Sequence, residues 1–182
     1  STAGKVYRLK VWKLPEGGPA TRGRPIVNLL PALDKDETIA AVLPLPEDEG
    51  TWGDLNVVFA TAKGNVRRNS MDAFANIPSN GKFAMRFEDD SADRLIGVAL
   101  LDSGDDVREF VSRTSTGVRG MTLKGDDEVI SLSILHRVGT TSEEREDYVR
   151  FAPWKAEKEG DPAMSAERFA ELAAREQFIL TV

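Results

Sequence analysis

The chain has 182 residues, no cysteine, 41% hydrophobic and 30% charged residues, and a formal net charge of −6. This length suits one domain with a real core or one large piece of a repeat architecture. The absence of cysteine excludes a disulfide scaffold, a cysteine-based zinc site and a thiolate nucleophile. No stretch approaches 18 consecutive apolar residues, and the first ten residues lack the apolar segment of a secretory signal. Because the chain starts abruptly in a turn that leads into a strand, we expect it to be a fragment of something longer.

Two kinds of element recur along the chain. The pattern Gly-x-Val-x-Arg begins at Gly4 and again at Gly64. A glycine-led strand, an acidic turn and an apolar strand follow one another from Gly23, from Gly81 and from Gly117. Such self-similarity is the signature of a repeat architecture.

The apolar strands indicate how the repeats pack. The runs at 55–62 and 95–101 are apolar on both faces, which is typical of strands covered on both sides, as between propeller blades. Residues 129–135 alternate instead and predict a strand with one apolar face. The second type of repeat is 58 residues long from Gly23 but only 36 from Gly81. One hairpin is therefore predicted to be missing between Val107 and Arg108.

The last part of the chain differs from the rest. Residues 140–176 are highly charged, and Ser165 is placed to cap a helix that carries Phe169, Leu172 and Ala173 on one stripe. We interpret this segment as an insertion between blades, after which the chain resumes a strand. The predicted organisation is three repeat units at about 1–50, 55–107 and 108–139, the insertion at 140–176, and the start of a further blade at 177–182.

Charge alternates in step with the repeats. Residues 1–30 contain six Lys and Arg and one acidic residue, whereas residues 31–60 contain one Lys and seven acidic residues. In a radial fold, equivalent positions reach equivalent places, so the basic segments would merge into one stripe, which is a footprint for phosphates. The same pattern also fits ordinary surface charge on solvent-facing strands. Basic residues are in excess again over 61–86 and 108–124, and acidic residues over 87–107 and 125–182.

Four stretches closely resemble the C-terminal domain of the A subunit of bacterial DNA gyrase. They are GRPIVNLLPALDKDETIAAVLPLP, VVFATAKGNVRRNSMDAF, NGKFAMRF and TSTGVRGMTLKGDDEVIS. The resemblance implies an all-β fold, a six-bladed β-pinwheel (a β-propeller variant) of four-stranded antiparallel blades, of which about half is expected here together with one short helical insertion. The glycine- and arginine-rich box of the family's first blade is not in this chain, and we expect the last blades to lie beyond its end.

The resemblance also implies a function. The family's domain wraps a segment of double-stranded DNA around a basic rim, so that the ATP-driven enzyme, a type II topoisomerase, introduces negative supercoils. The expected partners are therefore DNA, the remainder of the gyrase A subunit, and the gyrase B subunit, with no membrane, in the cytoplasm at the nucleoid. ATP and magnesium would serve the complete enzyme, whose catalytic sites lie elsewhere, so this fragment is expected to be non-catalytic, without a cofactor or metal of its own.

The candidate phosphate contacts are the cations at blade-equivalent positions of the basic segments. Arg68 matches Arg8 of the previous repeat and is the preferred candidate of the pair Arg67 and Arg68. The full set is Lys5, Arg8, Lys10, Lys13, Arg22, Arg24, Lys63, Arg67, Arg68, Lys82, Arg86, Arg113, Arg119 and Lys124.

Other interpretations are kept beside this one. The chain could be the C-terminal domain of the A subunit of topoisomerase IV, which has more degenerate blades, or a propeller that binds protein. The S-x-x-K match that ends at Lys82 is interpreted as a turn, because no helix is predicted to place its Lys beside its Ser. His136 is the single histidine and cannot build a typical zinc site by itself. The three tryptophans do not recur at one repeat position and are assigned to packing.

Overall fold

The computed structural model describes residues 1–88, 91–101, 107–112, 115–156 and 160–179. The chain divides into two compact units, the first unit at 1–132 and the second unit at 133–182. Part of the acidic turn before 95–101 and the residues directly before the predicted gap at Val107 lie outside the described residues.

The first unit is built on antiparallel strands. They are β1 (Lys5–Val6), β2 (Asn56–Thr61), β3 (Asn65–Ser70), β4 (Lys82–Phe83), β5 (Leu95–Leu101) and β6 (Val118–Arg119), with 3₁₀ turns at Val11–Lys13, Ile26–Asn28, Glu49–Asp54 and Met71–Phe74. Strands β5, β2, β3 and β6 form one sheet in that order, and β1 pairs with β4 in a second, smaller sheet. The strands predicted at 55–62 and 95–101 are confirmed as the two neighbours β2 and β5.

Gly4 and Gly64 occupy equivalent places in two repeats. Both have a positive φ, of 74° and 81°. A Cβ atom would lie 2.3 Å from the carbonyl oxygen of Met85 at the first glycine and 2.7 Å from that of Met121 at the second. In each repeat the glycine carbonyl accepts a hydrogen bond from the amide of that same methionine, at 3.0 and 3.1 Å. Only glycine fits such a turn, so the sequence repeat is also a repeat of backbone structure.

Main-chain hydrogen bonds link one repeat to the next. The Ala62 amide donates to the carbonyl of Arg94, and the Ala62 carbonyl accepts from the amide of Val129, both at 2.9 Å. Thr2, two residues before the first repeat's glycine, makes the same pair of bonds one repeat earlier. Each turn therefore joins the apolar segments of two successive repeats.

The main hydrophobic cluster of the first unit lies on the Phe59 face of the four-stranded sheet and under the turns that flank it, while Val58 and Ala60 are buried on the opposite face. Trp52 is only 2% exposed, which confirms its assignment to packing, and its indole N–H donates to the carbonyl of Pro46 at 3.1 Å. Trp12 is 77% exposed, so the same assignment is wrong for that residue. The buried cluster consists of Trp52, Val57, Phe59, Met71, Phe74, Ala84, Met85 and Leu95.

Four predicted strands are not formed, one of them the apolar run 39–45 of the repeat that starts at Gly23. The segment after Gly23 contains the 3₁₀ turn Ile26–Asn28. Residues 129–135, all of them described, belong to no strand, and Ile130 is 83% exposed instead of facing a core. Phe178 and Ile179, where the chain was expected to resume a strand, are also exposed outside any strand. An alternating pattern marks an apolar face, but a strand also needs a neighbouring strand to pair with it.

The second unit contains two helices, α1 (Ser142–Phe151) and α2 (Ala166–Ala174). The prediction that Ser165 caps the second helix is confirmed, because its hydroxyl accepts from the amide of Arg168. The first helix was not predicted, although Thr141 and Glu144 form a reciprocal capping box at its start, which is a recognisable sequence signal.

The two helices pack through their apolar stripes. Tyr148 of α1 lies against Phe169 of α2 with ring centroids 4.8 Å apart, and Leu172 is buried beside them. Arg168 donates to Glu144 across the pair at 2.9 Å. Neither of these helices is long and apolar enough to cross a membrane, and the described part of the chain holds no other candidate for a membrane span.

Candidate nucleic-acid interface

Half of the fourteen predicted phosphate contacts lie on the open surface of the first unit. These side chains belong to exposed residues and form no ion pair with any residue that the structure describes. They come from turns and strand ends in all three repeats. They are Lys10, Lys13, Arg22, Arg24, Arg86, Arg119 and Lys124.

Aromatic rings hold two of these exposed cations. The guanidinium of Arg86 lies 4.8 Å from the centroid of the Phe83 ring, and the ammonium of Lys13 lies 5.3 Å from that of Trp12. A cation on an aromatic face is restrained but remains hydrated on its outer side. Both charges are thus presented to solvent in a limited set of positions.

Lys5 and Arg8, in contrast, are paired within the protein. Lys5 contacts Asp34 at 2.6 Å and Glu37 at 3.7 Å, and the hydrogen bond that it donates to Asp34 raises the pKa of Lys5. Arg8 pairs with Glu49 and donates to the carbonyl of Ala75 at 3.2 Å. Each charge is largely neutralised by its partner, so these two residues have less to offer a phosphate.

Lys63, Arg68 and Lys82 are also engaged. Lys63 lies 3.5 Å from Glu128. Arg68 donates through Nε to the carbonyl of Val107 at 2.7 Å, and Lys82 donates to the carbonyl of Asn76 at 3.0 Å. Carbonyl partners leave the positive charge in place, so Arg68 and Lys82 stay candidates, although protein groups occupy part of the surroundings of each side chain.

Arg67 is not a surface residue, and the prediction that it contacts phosphate is wrong. It is 0% exposed, its guanidinium donates to the carbonyls of Ala84 and Ser115, and it lies 5.0 Å from the ring of Phe59. Alternation along β3 places Arg67 and Arg68 on opposite faces, and the Arg67 side chain is fully buried whereas Arg68 is half-buried. Two arginines follow this turn because one serves the interior and the other the surface.

The basic segment 108–124 contains two further arginines. Arg113 lies outside the described residues. Arg108 was not among the candidates, yet it is exposed and its guanidinium lies 5.5 Å from the Phe110 ring. Its place in the basic segment 108–124 was the signal that could have identified it.

Carboxylates of the acidic turns form ion pairs and hydrogen bonds within the first unit. Glu128 pairs with Arg94 at 2.9 Å as well as with Lys63, and the hydrogen bond from Arg94 lowers the pKa of Glu128. Burial would raise the pKa of Glu37, but hydrogen bonds from Ser1, from the Asp34 amide and from Tyr7 outweigh it and lower that pKa. These carboxylates therefore fasten neighbouring segments together.

Two other motifs of the sequence lie in a turn and at an exposed position. The segment before Lys82 is a turn, as predicted, closed by the Gly81 amide donating to the carbonyl of Pro78 at 2.9 Å. His136 is exposed, and its amide donates to the side chain of Gln177. Among the described residues, no group of three or more His, Asp or Glu is arranged to hold a metal ion.

Comparison with known proteins agrees with the repeat structure. A family model described as DNA gyrase C-terminal domain, beta-propeller, matches residues 1–46, 55–102 and 103–136. The DNA gyrase A subunit of Granulibacter bethesdensis is 43% identical over 222 residues, and that of Rickettsia bellii is 41% identical over 210 residues, each covering 100% of this chain. The chain belongs to the DNA gyrase C-terminal domain family.

As a gyrase C-terminal domain, the chain spans only part of its relatives. It covers 23% of the Granulibacter and Rickettsia proteins, and 74% of the chain aligns with 16% of the DNA gyrase A subunit of Salmonella typhimurium at 42% identity. The Granulibacter alignment is 222 positions long against 182 residues here, so this relative has residues that the present chain lacks.

A solved structure supports the propeller fold. The crystal structure of the C-terminal domain of DNA topoisomerase IV superposes with a TM-score of 0.60 at 22% identity, covering 71% of this chain and 44% of that chain. At this identity the likeness shows the fold alone. The predicted fold class is therefore confirmed, while the sequence relationship is to DNA gyrase.

Proposed function

We propose that the first unit binds double-stranded DNA through its exposed cations and bends the DNA around them. The observation that carries this proposal is the set of seven exposed Lys and Arg residues, drawn from all three repeats, that form no ion pair with any described residue. The acidic residues of the same unit are concentrated in the turns between strands, where several pair with other cations. An acidic chain can thus present a basic surface.

Binding of this kind is expected to tolerate any sequence. Phosphate contacts position a protein on DNA but carry no base information. Affinity should therefore depend steeply on salt, because each neutralised phosphate releases counterions. Flexible DNA should be preferred, because bending costs deformation energy that depends on the sequence being bent.

The test is a titration of the purified chain with mixed-sequence duplex DNA at several salt concentrations. The variant Arg119→Gln should weaken binding to unrelated sequences equally and lower the salt slope by about 0.9, the value for one lost phosphate contact. Lys35→Gln is the matched control, because Lys35 is also exposed but lies within an acidic turn. An absence of DNA retardation at low salt would overturn the proposal and favour a protein-binding propeller.

In the complete enzyme we propose that this wrapping, together with the remainder of the gyrase A subunit and with the gyrase B subunit, allows ATP-driven introduction of negative supercoils. Family membership supports this role. In enzyme reconstituted from both gyrase subunits with ATP and magnesium, Arg86→Gln combined with Arg119→Gln should lower the supercoiling rate, whereas Lys35→Gln should not. Equal supercoiling rates in the Arg86→Gln, Arg119→Gln double variant and in Lys35→Gln would show that the reaction does not depend on these two contacts.

A further inference from the structure

Arg67 joins two segments that each carry an exposed cation. One of its carbonyl partners is Ala84, two residues before Arg86. The other is Ser115, four residues before Arg119. A guanidinium has five N–H donors in a rigid plane, so a single arginine can bridge two carbonyls that are 31 residues apart in the sequence.

The surroundings of Arg67 allow it little freedom. The side chain is fully buried and stacks on Phe59 at 5.0 Å. Gly117 passes close beside this strand, because an added Cβ there would lie 2.3 Å from the Val66 carbonyl oxygen and 3.0 Å from the Arg67 Cβ. Ala84 is held from its other side as well, since its amide donates to the carbonyl of Gly4 at 2.8 Å. Both segments are thus fixed to the same buried group.

The equivalent position of the preceding repeat is occupied differently. Three residues after Gly4 stands Tyr7, just as Arg67 stands three residues after Gly64. The single O–H of Tyr7 has its two possible acceptors, Glu37 at 3.0 Å and the carbonyl of Ala32 at 3.2 Å, in its own repeat. The two-carbonyl bridge between successive repeats is thus made by Arg67 and not by the repeated backbone.

We propose that Arg67 is a positioning residue that sets the spacing between the exposed cations Arg86 and Arg119, and thereby the path of bound DNA between two repeats. This proposal rests on the proposed function. Arg67 itself touches no DNA, because it is buried. Its contribution is that two phosphate contacts from different repeats are held at one distance before DNA binds, so less conformational freedom is lost on binding.

The first experiment measures that distance directly in the full chain without DNA. Because the chain has no cysteine, Arg86→Cys and Arg119→Cys can be combined and spin-labelled. A narrow distribution of label distances is expected with Arg67 in place. Arg67→Lys keeps the charge but cannot bridge both carbonyls in one plane, and should broaden the distribution while circular dichroism stays unchanged. An unchanged distribution would overturn the proposal.

The second experiment is a double-mutant cycle on binding to mixed-sequence duplex DNA. Arg67→Lys should weaken binding by roughly fivefold in the otherwise unchanged chain. It should have little effect when Arg86→Gln and Arg119→Gln are already present. In the control background Lys10→Gln with Lys13→Gln, which Arg67 does not contact, the fivefold effect should persist. An equal effect in both backgrounds would mean general destabilisation and would overturn the positioning role.

Two outcomes remain and both are decisive. If Arg67→Lys and Arg67→Gln both fail to fold, Arg67 is a core residue only, and the positioning role is wrong. If the unchanged chain does not bind DNA, the proposed function fails, whereas binding that is insensitive to Arg67→Lys makes only this inference fail.

Discussion

At the scale of single residues, Gly64 is a sharp test of the repeated turn. Its φ is 81°, and a Cβ would lie 2.7 Å from the Met121 carbonyl oxygen. We expect Gly64→Ala to lower the free energy of unfolding of the first unit by about 1–3 kcal/mol, because the backbone is strained for any side chain and must also move away from a carbonyl. Chemical denaturation measures this.

Gly23→Ala is the control for that substitution. Gly23 has no positive φ and no atom within 4 Å of an added Cβ. Its replacement should change stability by less than about 0.5 kcal/mol. Equal effects at Gly23 and Gly64 would contradict the role assigned to the turn.

The raised pKa of Tyr148 predicts that the stability of the second unit decreases at alkaline pH. Burial, together with the hydrogen bond to Glu176, raises the pKa of Tyr148 from 10.0 to about 12. A raised pKa means that the folded state favours the neutral phenol, so this stabilisation is complete below pH 10 and is lost as the pH rises towards 12. Denaturation of the described helices, followed by circular dichroism across this range, should show the decline.

Phenylalanine substitutions at each of the two tyrosines of the chain test the origin of this pH effect. Tyr148→Phe should flatten the dependence of helix stability on pH, because the titrating group is gone. Tyr7→Phe should leave it in place, since Tyr7 belongs to the first unit. A pH dependence that survives in Tyr148→Phe would assign it to another group.

At the scale of elements, the start of α1 depends on its capping box. The Thr141 hydroxyl accepts from the Glu144 amide at 3.2 Å, and the Glu144 carboxylate accepts from the Thr141 amide at 3.0 Å. Thr141→Ala removes one half of this pair and should cost the second unit about 1 kcal/mol. Thr140→Ala is a neighbouring control outside the cap, and thermal unfolding of the helical signal compares the two.

The elements show which sequence signals were sufficient. The apolar runs that became β2 and β5 were predicted because their residues suit strands covered on both faces. The α2 helix was predicted from its serine cap and apolar stripe, and the equivalent signal at Thr141 was overlooked. The segment 129–135 carried a correct strand pattern but forms no strand, because hydrogen bonding to a neighbour is a property of the fold and not of the segment.

At the scale of the whole molecule, exposed apolar side chains predict self-association. Val42, Val111 and Ile130 of the first unit are 84%, 94% and 83% exposed. Exposed apolar segments beside incompletely paired sheets are sites where a second copy can add on. Sedimentation velocity should show association that increases with protein concentration and decreases in Ile130→Lys.

Val149→Lys serves as the control for that measurement. Val149 is 50% exposed but lies on α1 of the second unit, which contains no strand among its described residues. The same charge introduced there should leave association unchanged. A chain that stays monomeric at every concentration would show that these side chains are not an interface.

The sequence by itself determined the repeat, the turn glycines and the family, because spacing, glycine at strained turns and long motifs are all local in the chain. It also determined that Arg67 and Arg68 face opposite ways, since side chains alternate along a strand. Only the tertiary structure decided which of the two is buried and which cations are already paired with the acidic turns. Burial and ion pairing are set by residues far away in sequence, such as Ala84 and Ser115 around Arg67, and their positions follow from how the repeats pack together.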